Sequence, residues 1–420
     1  MKQKLFTRNF TFLILGQASS LIGNNTLKFA LSMYVLERTG SAAVFAGLLA
    51  VAMVPTILLS PFGGMLADRM NRRNIMVVLD VISGLSVFAV FLLFGEGSGI
   101  YLIGALLVVL SVLGAFESLT VQACVPQMQS GDNILKGNAV VNQISAVAAF
   151  TTPFAGSIFY TAFGIRSVLL AAVICFFLTA FLECFIRLEH KPAAKQSITQ
   201  IVKEDLAASM RFLSREQPGV LKLLLLAALV SFFVMGTAVV GFPFLVRTVL
   251  GLSAEHYGVA ESAMGLAAIL GGLAAGLLAG KLQFTKLYWL MIGLGICLLP
   301  SGAVFLLPAP SFAKYLVLVL AFCAGQAACN MFSIFALSAI QERTPSHLTG
   351  KVMSCVFTVS MCAQPLGQIV YGYLFDTFSE NVSLVLLPTG IIICVIGVLS
   401  AGFFSGFGKE EEKILQFNIL

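Results

Sequence analysis

Charge is what this chain has least of. Asp, Glu, Lys and Arg together make up 10% of its 420 residues, against about 25% in an ordinary soluble domain. Too few charges remain to clothe a water-soluble fold. Histidine occurs three times, at positions 190, 256 and 347, and tryptophan once. There is no P-loop, no HExxH and no GxSxG, so no catalytic residue, metal site or cofactor is expected, and ATP hydrolysis of the usual kind is excluded. The nine cysteines fall nearly all inside apolar runs without CxxC spacing, which reads as small buried thiols rather than metal ligands or disulfides. Segments of alternating polarity are also missing, which excludes a membrane β-barrel.

What is present is apolar: 59% of the residues are hydrophobic, gathered into continuous runs of twenty or more. A helix rises about 1.5 Å per residue and the hydrocarbon core is about 30 Å thick, so each run is long enough to cross a bilayer. In lipid every backbone polar group must be satisfied within the segment, which makes these runs helices. Spans are expected near 9–36, 42–67, 73–95, 99–123, 134–163, 165–187, 218–249, 255–281, 286–307, 312–341, 348–376 and 382–405. The expected fold is an all-α membrane protein of twelve transmembrane helices.

The first segment follows Lys2, Lys4 and Arg8 as a secretory signal would. It runs on to about Leu36, contains Asn24, Asn25 and Lys28, and shows no convincing cleavage site, so it reads as a retained span. With the amino terminus inside, Arg38, Arg166, Arg247 and Lys314 fall outside, Lys28 falls within a span, and the other 20 of the 25 Lys and Arg fall on the cytoplasmic side. That bias puts both termini in the cytoplasm, and it explains the net charge of +6 without nucleic acid.

Four regions follow: 1–189, a six-helix bundle; 190–217, a charged linker; 218–405, a second bundle; and 406–420, a cytoplasmic tail. In the linker, Ile198, Ile201, Val202, Leu206, Met210 and Leu213 recur at helical spacing. A helix lying on the membrane surface and a solvated tether both fit. The bundles repeat one another. Gly64 to Met70 aligns with Gly276 to Leu282 at an offset of 212 residues (276 − 64), and Pro153 pairs with Pro365 at the same offset. A duplicated six-helix unit is the plan of a carrier that exposes one site alternately to either side.

Between the second and third spans stands Gly64 Met65 Leu66 Ala67 Asp68 Arg69 Met70 Asn71 Arg72 Arg73. It resembles the GxLaDRxGRR signature of the major facilitator superfamily. With Gly16 Gln17, the run from Phe29 to Ser41 and the Pro365-containing span, the whole chain resembles the macrolide-efflux-like branch of the drug:proton antiporters. The resemblance implies a monomeric secondary transporter in the inner membrane, with an amphiphilic small molecule as cargo and protons as the coupling ion. It also implies a cytoplasmic gate formed by Gly64, Asp68, Arg69, Arg72 and Arg73, with Asp68 facing the positive end of span eleven. The motif departs from the family at Asn71, where Gly is usual; Asn tolerates a left-handed turn better than most residues. The Arg residues serve equally well as positive-inside anchors.

Charges inside spans are costly and are usually retained for a reason. Lys28, beside Asn24 and Asn25 in span one, and Glu117 in span four are the candidates for cargo or proton binding, at different depths. Gln143, Gln326 and Asn330 are candidates to orient a ligand, or are interhelical hydrogen-bond partners. Asp80, close to the motif arginines, is expected to be a structural ion-pair partner, Glu183 and Arg187 to form a local i,i+4 pair, and Glu261 to be solvated. Two other functions stay open: export or flipping of an endogenous metabolite such as a siderophore or lysolipid, and a non-transporting receptor.

Overall fold

The computed structural model describes residues 5–95, 99–130, 132–188, 209, 211–278, 284–345 and 348–419; the side chains of 60–69, 132, 284, 350 and 407–419 fall outside the description. Most of the linker expected to carry a surface helix, and His347, also lie outside it. Among the described residues there is no strand. Eleven long helices are numbered here α1 Arg8–Thr39, α2 Ala42–Arg69, α3 Arg72–Leu93, α4 Ile100–Met128 and α5 Asp132–Glu183 in the first part of the chain. The second part holds α6 Pro218–Val249, α7 Ala254–Leu278, α8 Tyr288–Ala303, α9 Ser311–Glu342, α10 Thr349–Thr377 and α11 Ser383–Ile419.

Among the described residues, ten segments are long and apolar enough to cross a membrane by length and composition alone. One of them, in α5, is 51 residues long, about 77 Å if straight and more than twice a hydrocarbon core. It is broken at Gly164, whose backbone (φ 73°, ψ 175°) is not helical. The sequence places a boundary between spans there, and only glycine adopts that φ without strain. Helix α1 has 32 residues and lies outside the ten, its polar groups diluting an otherwise apolar run. Thr7 caps it by accepting from the Phe10 N–H, and Gly40 (φ 61°) ends it with its N–H on the Leu36 carbonyl.

By its contacts the chain divides into two units: Met1–Gly40, Gly47–Val202 and Ser253–Ser262 form one, and Ser41–Ala46, Lys203–Leu252 and Ala263–Leu420 form the other. In the first, small residues let α1 lie close against the last part of α5. A Cβ at Gly23 would stand 2.7 Å from the Cys175 Cβ, and one at Gly16 would touch Thr179 and Glu183 at 3.4 and 3.5 Å. Polar atoms bind the same seam, Ser19 Oγ donating to the Cys175 carbonyl (3.1 Å) and Thr179 Oγ1 to the Gly16 carbonyl (3.2 Å). Close packing with short interhelical hydrogen bonds replaces the hydrophobic effect, which is weak between helices in lipid.

In the second unit α6 contains two π-helical stretches, Met235–Gly241 and Leu245–Val249. Gly236 packs on Tyr371 and Gly241 on Phe375 of α10, so tightly that neither position has room for a Cβ. Tyr371 and Phe375 are one α turn apart, whereas the glycines are five apart. The wider π turn brings the two rows into register. Gly367 of α10 is likewise pressed on the Phe232 carbonyl of α6.

Candidate functional site

The first unit carries its charge in a place where charge is expensive. Asp80 on α3 is fully buried, Glu183 at the end of α5 is 1% exposed and Glu117 on α4 is 8% exposed. Ser20 on α1 stands among them. Its hydroxyl donates to Asp80 Oδ1 at 3.3 Å and also lies within hydrogen-bonding reach of Glu117. The carboxyl groups of Asp80 and Glu183 lie within hydrogen-bonding reach of each other, and Asp80 Oδ2 and Glu183 Oε2 are buried without a hydrogen-bond partner among the described residues. Ionised carboxylates only accept, so a hydrogen bond between these two requires a proton. Four helices thus gather three acids in a low-dielectric interior, two of them within reach of the Ser20 hydroxyl.

Lys28, on α1 and two turns beyond Ser20, is partly buried and within electrostatic reach of Glu117. The two form no ion pair. Asn24 faces α4, its Nδ2 3.7 Å from where a Gly114 Cβ would stand, while its buried Oδ1 has no partner. Asn25 is partly buried on the same stretch. Gln17, one turn before Ser20, also buries an unpartnered oxygen. In the sequence Gln17 counts toward the family resemblance alone, since an isolated glutamine in a span does not mark a site.

Several expectations are corrected by the geometry. Asp80 pairs with neither Arg72 nor Arg73; its neighbours among the described residues are Ser20, Glu183 and Glu117. Glu183 and Arg187 form no ion pair, because the helix ends at Glu183 and the carboxyl turns inward to Asp80, leaving the Arg187 N–H to the Asn9 side chain. The i,i+4 argument needs a helix that continues past both residues. Asn71 is not left-handed. It has φ −66° and caps α3, its side chain accepting from the Arg73 N–H. Glu261 is not solvated: it hydrogen-bonds Tyr257 and buries Oε2.

Arg72 donates from Nη1 to the Ala123 carbonyl near the end of α4 (2.7 Å), and Arg73 from Nη2 to the Cys184 carbonyl just after α5 (2.6 Å). Each places a cation on the negative end of a helix inside the first unit, which makes these two arginines clamps there. The backbones of Gly64, Asp68 and Arg69 continue α2 to its end, and their side chains lie outside the described residues.

In the second unit Gln326 lines a small cavity with Phe233, Thr237, Cys297 and Phe322. Its volume of about 20 Å³ accommodates a single water rather than a drug-sized molecule. Asn330 faces α7, its Oδ1 3.7 Å from where a Gly272 Cβ would stand, and so works between helices. Gln143 on α5 is exposed and apart from the acid cluster.

Continuous apolar helices, glycine-lined seams and buried acids in the span interiors define a multi-pass membrane transporter. The family model of the Major Facilitator Superfamily matches residues 13–368, and the chain belongs to that family, whose members are not enzymes. It is 24% identical over 387 residues to the macrolide efflux protein A of Streptococcus pyogenes, covering 90% of this chain and 92% of that one. It is 25% identical over 393 residues to the multidrug efflux pump Tap of Mycolicibacterium fortuitum, covering 90% and 91%. Among solved structures, the peptide transporter POT superposes with a TM-score of 0.75 at 14% identity, over 95% of each chain. A bacterial homologue of the lysosomal transporter Spinster gives 0.71 at 16%, over 96% and 97%. These likenesses concern the fold.

Proposed function

We propose that the chain exports amphiphilic small molecules of the macrolide type by proton antiport and alternating access. It would cross the inner membrane twelve times as a monomer with both termini in the cytoplasm. The observation that carries the coupling is the buried group Asp80, Glu117 and Glu183, two of them within reach of Ser20. Three acids kept in an apolar interior are costly to maintain, and a carboxyl pair that needs a proton for its hydrogen bond is suited to taking one up and releasing it. Glu117 connects that pair to Lys28 and the polar stretch of α1, where a cargo would be felt. Asp68 is assigned the cytoplasmic gate on the strength of the motif. The named relatives that act on macrolides and on multiple drugs support the cargo class.

Inverted vesicles containing the protein test this, with substrate-induced proton release followed by a pH-sensitive dye. Dequenching by macrolides that disappears in Glu117→Gln is the expected result. Dequenching by siderophores or lysolipids alone replaces the cargo with an endogenous metabolite, and silence with every compound removes proton antiport for those cargoes.

A further inference from the structure

Helices α2 and α7 begin alike. Ser41-Ala42 and Ser253-Ala254 stand 212 residues apart (253 − 41), at the offset that relates Pro153 to Pro365. Each helix also begins in a different unit from the one that holds its remainder: Ser41–Ala46 groups with the second unit while α2 from Gly47 groups with the first, and Ser253–Ser262 groups with the first while α7 continues in the second.

The start of α2 is held by a carboxylate from another helix, whereas the acid in the first turn of α7, Glu255, belongs to α7 itself. Asp376, in the last turn of α10, accepts from Ser41 Oγ (2.5 Å) and the Ala43 N–H (3.1 Å) on Oδ2, and from the Ala42 N–H (2.6 Å) on Oδ1. Its charge sits on the positive end of α2 and satisfies N–H groups that the helix cannot pair itself. One turn earlier Gly372 allows the approach, since a Cβ there would stand 3.0 Å from the Ala42 carbonyl oxygen and 3.1 Å from Ala43 Cα. At α7 the residue equivalent to Asp376 is Gly164 (376 − 212), which has no side chain, and the Ser253 hydroxyl pairs with His256 Nδ1 instead (2.8 Å). The carboxylate is therefore a feature of one repeat rather than an inheritance of the duplicated plan.

A permanent cap would normally come from the residue just before the helix, and α2 already has one: Ser41 Oγ accepts from the Val44 N–H (3.1 Å). If the carboxylate leaves, the helix start keeps that cap. We propose that Asp376 is a releasable latch on the first turn of α2. It holds Ser41–Ala46 with the second unit in the conformation described here, and lets go during the transport cycle so that the turn moves with the rest of its own helix. The proposal rests on the alternating-access reading but not on the cargo or the coupling ion.

The test is labelling of Ala46→Cys, at a buried position on this turn, by a membrane-impermeant maleimide in vesicles of both orientations. The labelled peptide is identified by mass to separate it from the native cysteines. Asp376→Asn keeps the shape of the side chain without its charge, and it is expected to raise the labelling rate roughly tenfold, as loss of charge-assisted hydrogen bonds at a two-state contact would. Asp376→Ala should do the same. A disulfide between Ser41→Cys and Asp376→Cys is expected to abolish the rise and to stop transport until it is reduced. Unchanged labelling in both Asp376 variants, or full transport with the disulfide closed, overturns the latch and leaves a static cap. Labelling needs no cargo, so a failed transport assay leaves its outcome readable.

Discussion

The carboxyl of Asp80 in α3 lies against that of Glu183 at the end of α5, and Ser20 holds Asp80 from the other side. A hydrogen bond between two carboxyls needs a proton on one of them. Glu183→Gln supplies an amide donor to Asp80 with no proton needed, so its thermal unfolding in detergent is expected to match the parent or to gain about 1 kcal/mol. Glu183→Ala leaves a cavity and an unpartnered Asp80 oxygen, and should lose about 2–4 kcal/mol. Equal losses in both variants would mean that the carboxyls do not share a hydrogen bond.

Arg72 and Arg73 are expected to report on stability before transport. Their hydrogen bonds to the Ala123 and Cys184 carbonyls are charge-assisted, a class that contributes about 1.5–3 kcal/mol. Arg73→Ala should lower the unfolding temperature even without cargo. A variant of parental stability that has lost transport would instead return this arginine to the gate.

At Asn71 a cap is expected to behave differently from a left-handed turn. Asn71→Gly should cost a few tenths of a kcal/mol and Asn71→Ala about 1, the order seen at helix N-caps. A left-handed requirement would make glycine the stabilising choice, and a rise in unfolding temperature for Asn71→Gly would reveal it.

The α6–α10 seam predicts a sharp contrast among glycines. Gly236→Ala and Gly367→Ala place a methyl where Tyr371 and the Phe232 carbonyl already are, an overpacking that costs typically about 1–3 kcal/mol. Gly293→Ala meets nothing within 4 Å and should be neutral. Comparable melting curves for all three would show that the seam is looser than described.

Much of the fold was legible because a lipid environment leaves few choices. An apolar run of span length must be a helix, and the expected boundary near residue 164 coincides with the break at Gly164. The candidate site was less legible. Lys28, Glu117, Asp80 and Glu183 all stood out as charges within spans, but sequence spacing relates residues only along one helix. The meeting of Asp80 with Glu183 crosses 103 positions (183 − 80) and depends on how α3 packs on α5. Arg187 illustrates the limit from the other side: the pair with Glu183 looked sound until the helix was found to end between them. Gln17 contributed to the family resemblance but nothing in the sequence set it beside the acids.

The π-helical stretches of α6 bear on which length changes the chain tolerates. Removing one residue from an ordinary spanning helix turns everything beyond it by about 100°, exchanging lipid-facing and protein-facing sides. Within Met235–Gly241 a single deletion has another outlet, since a π turn that loses a residue becomes an α turn and the remainder of the helix keeps its facing. A deletion scan along α6 should therefore find its permissive sites here, and related chains that differ in length within this helix should differ at this stretch.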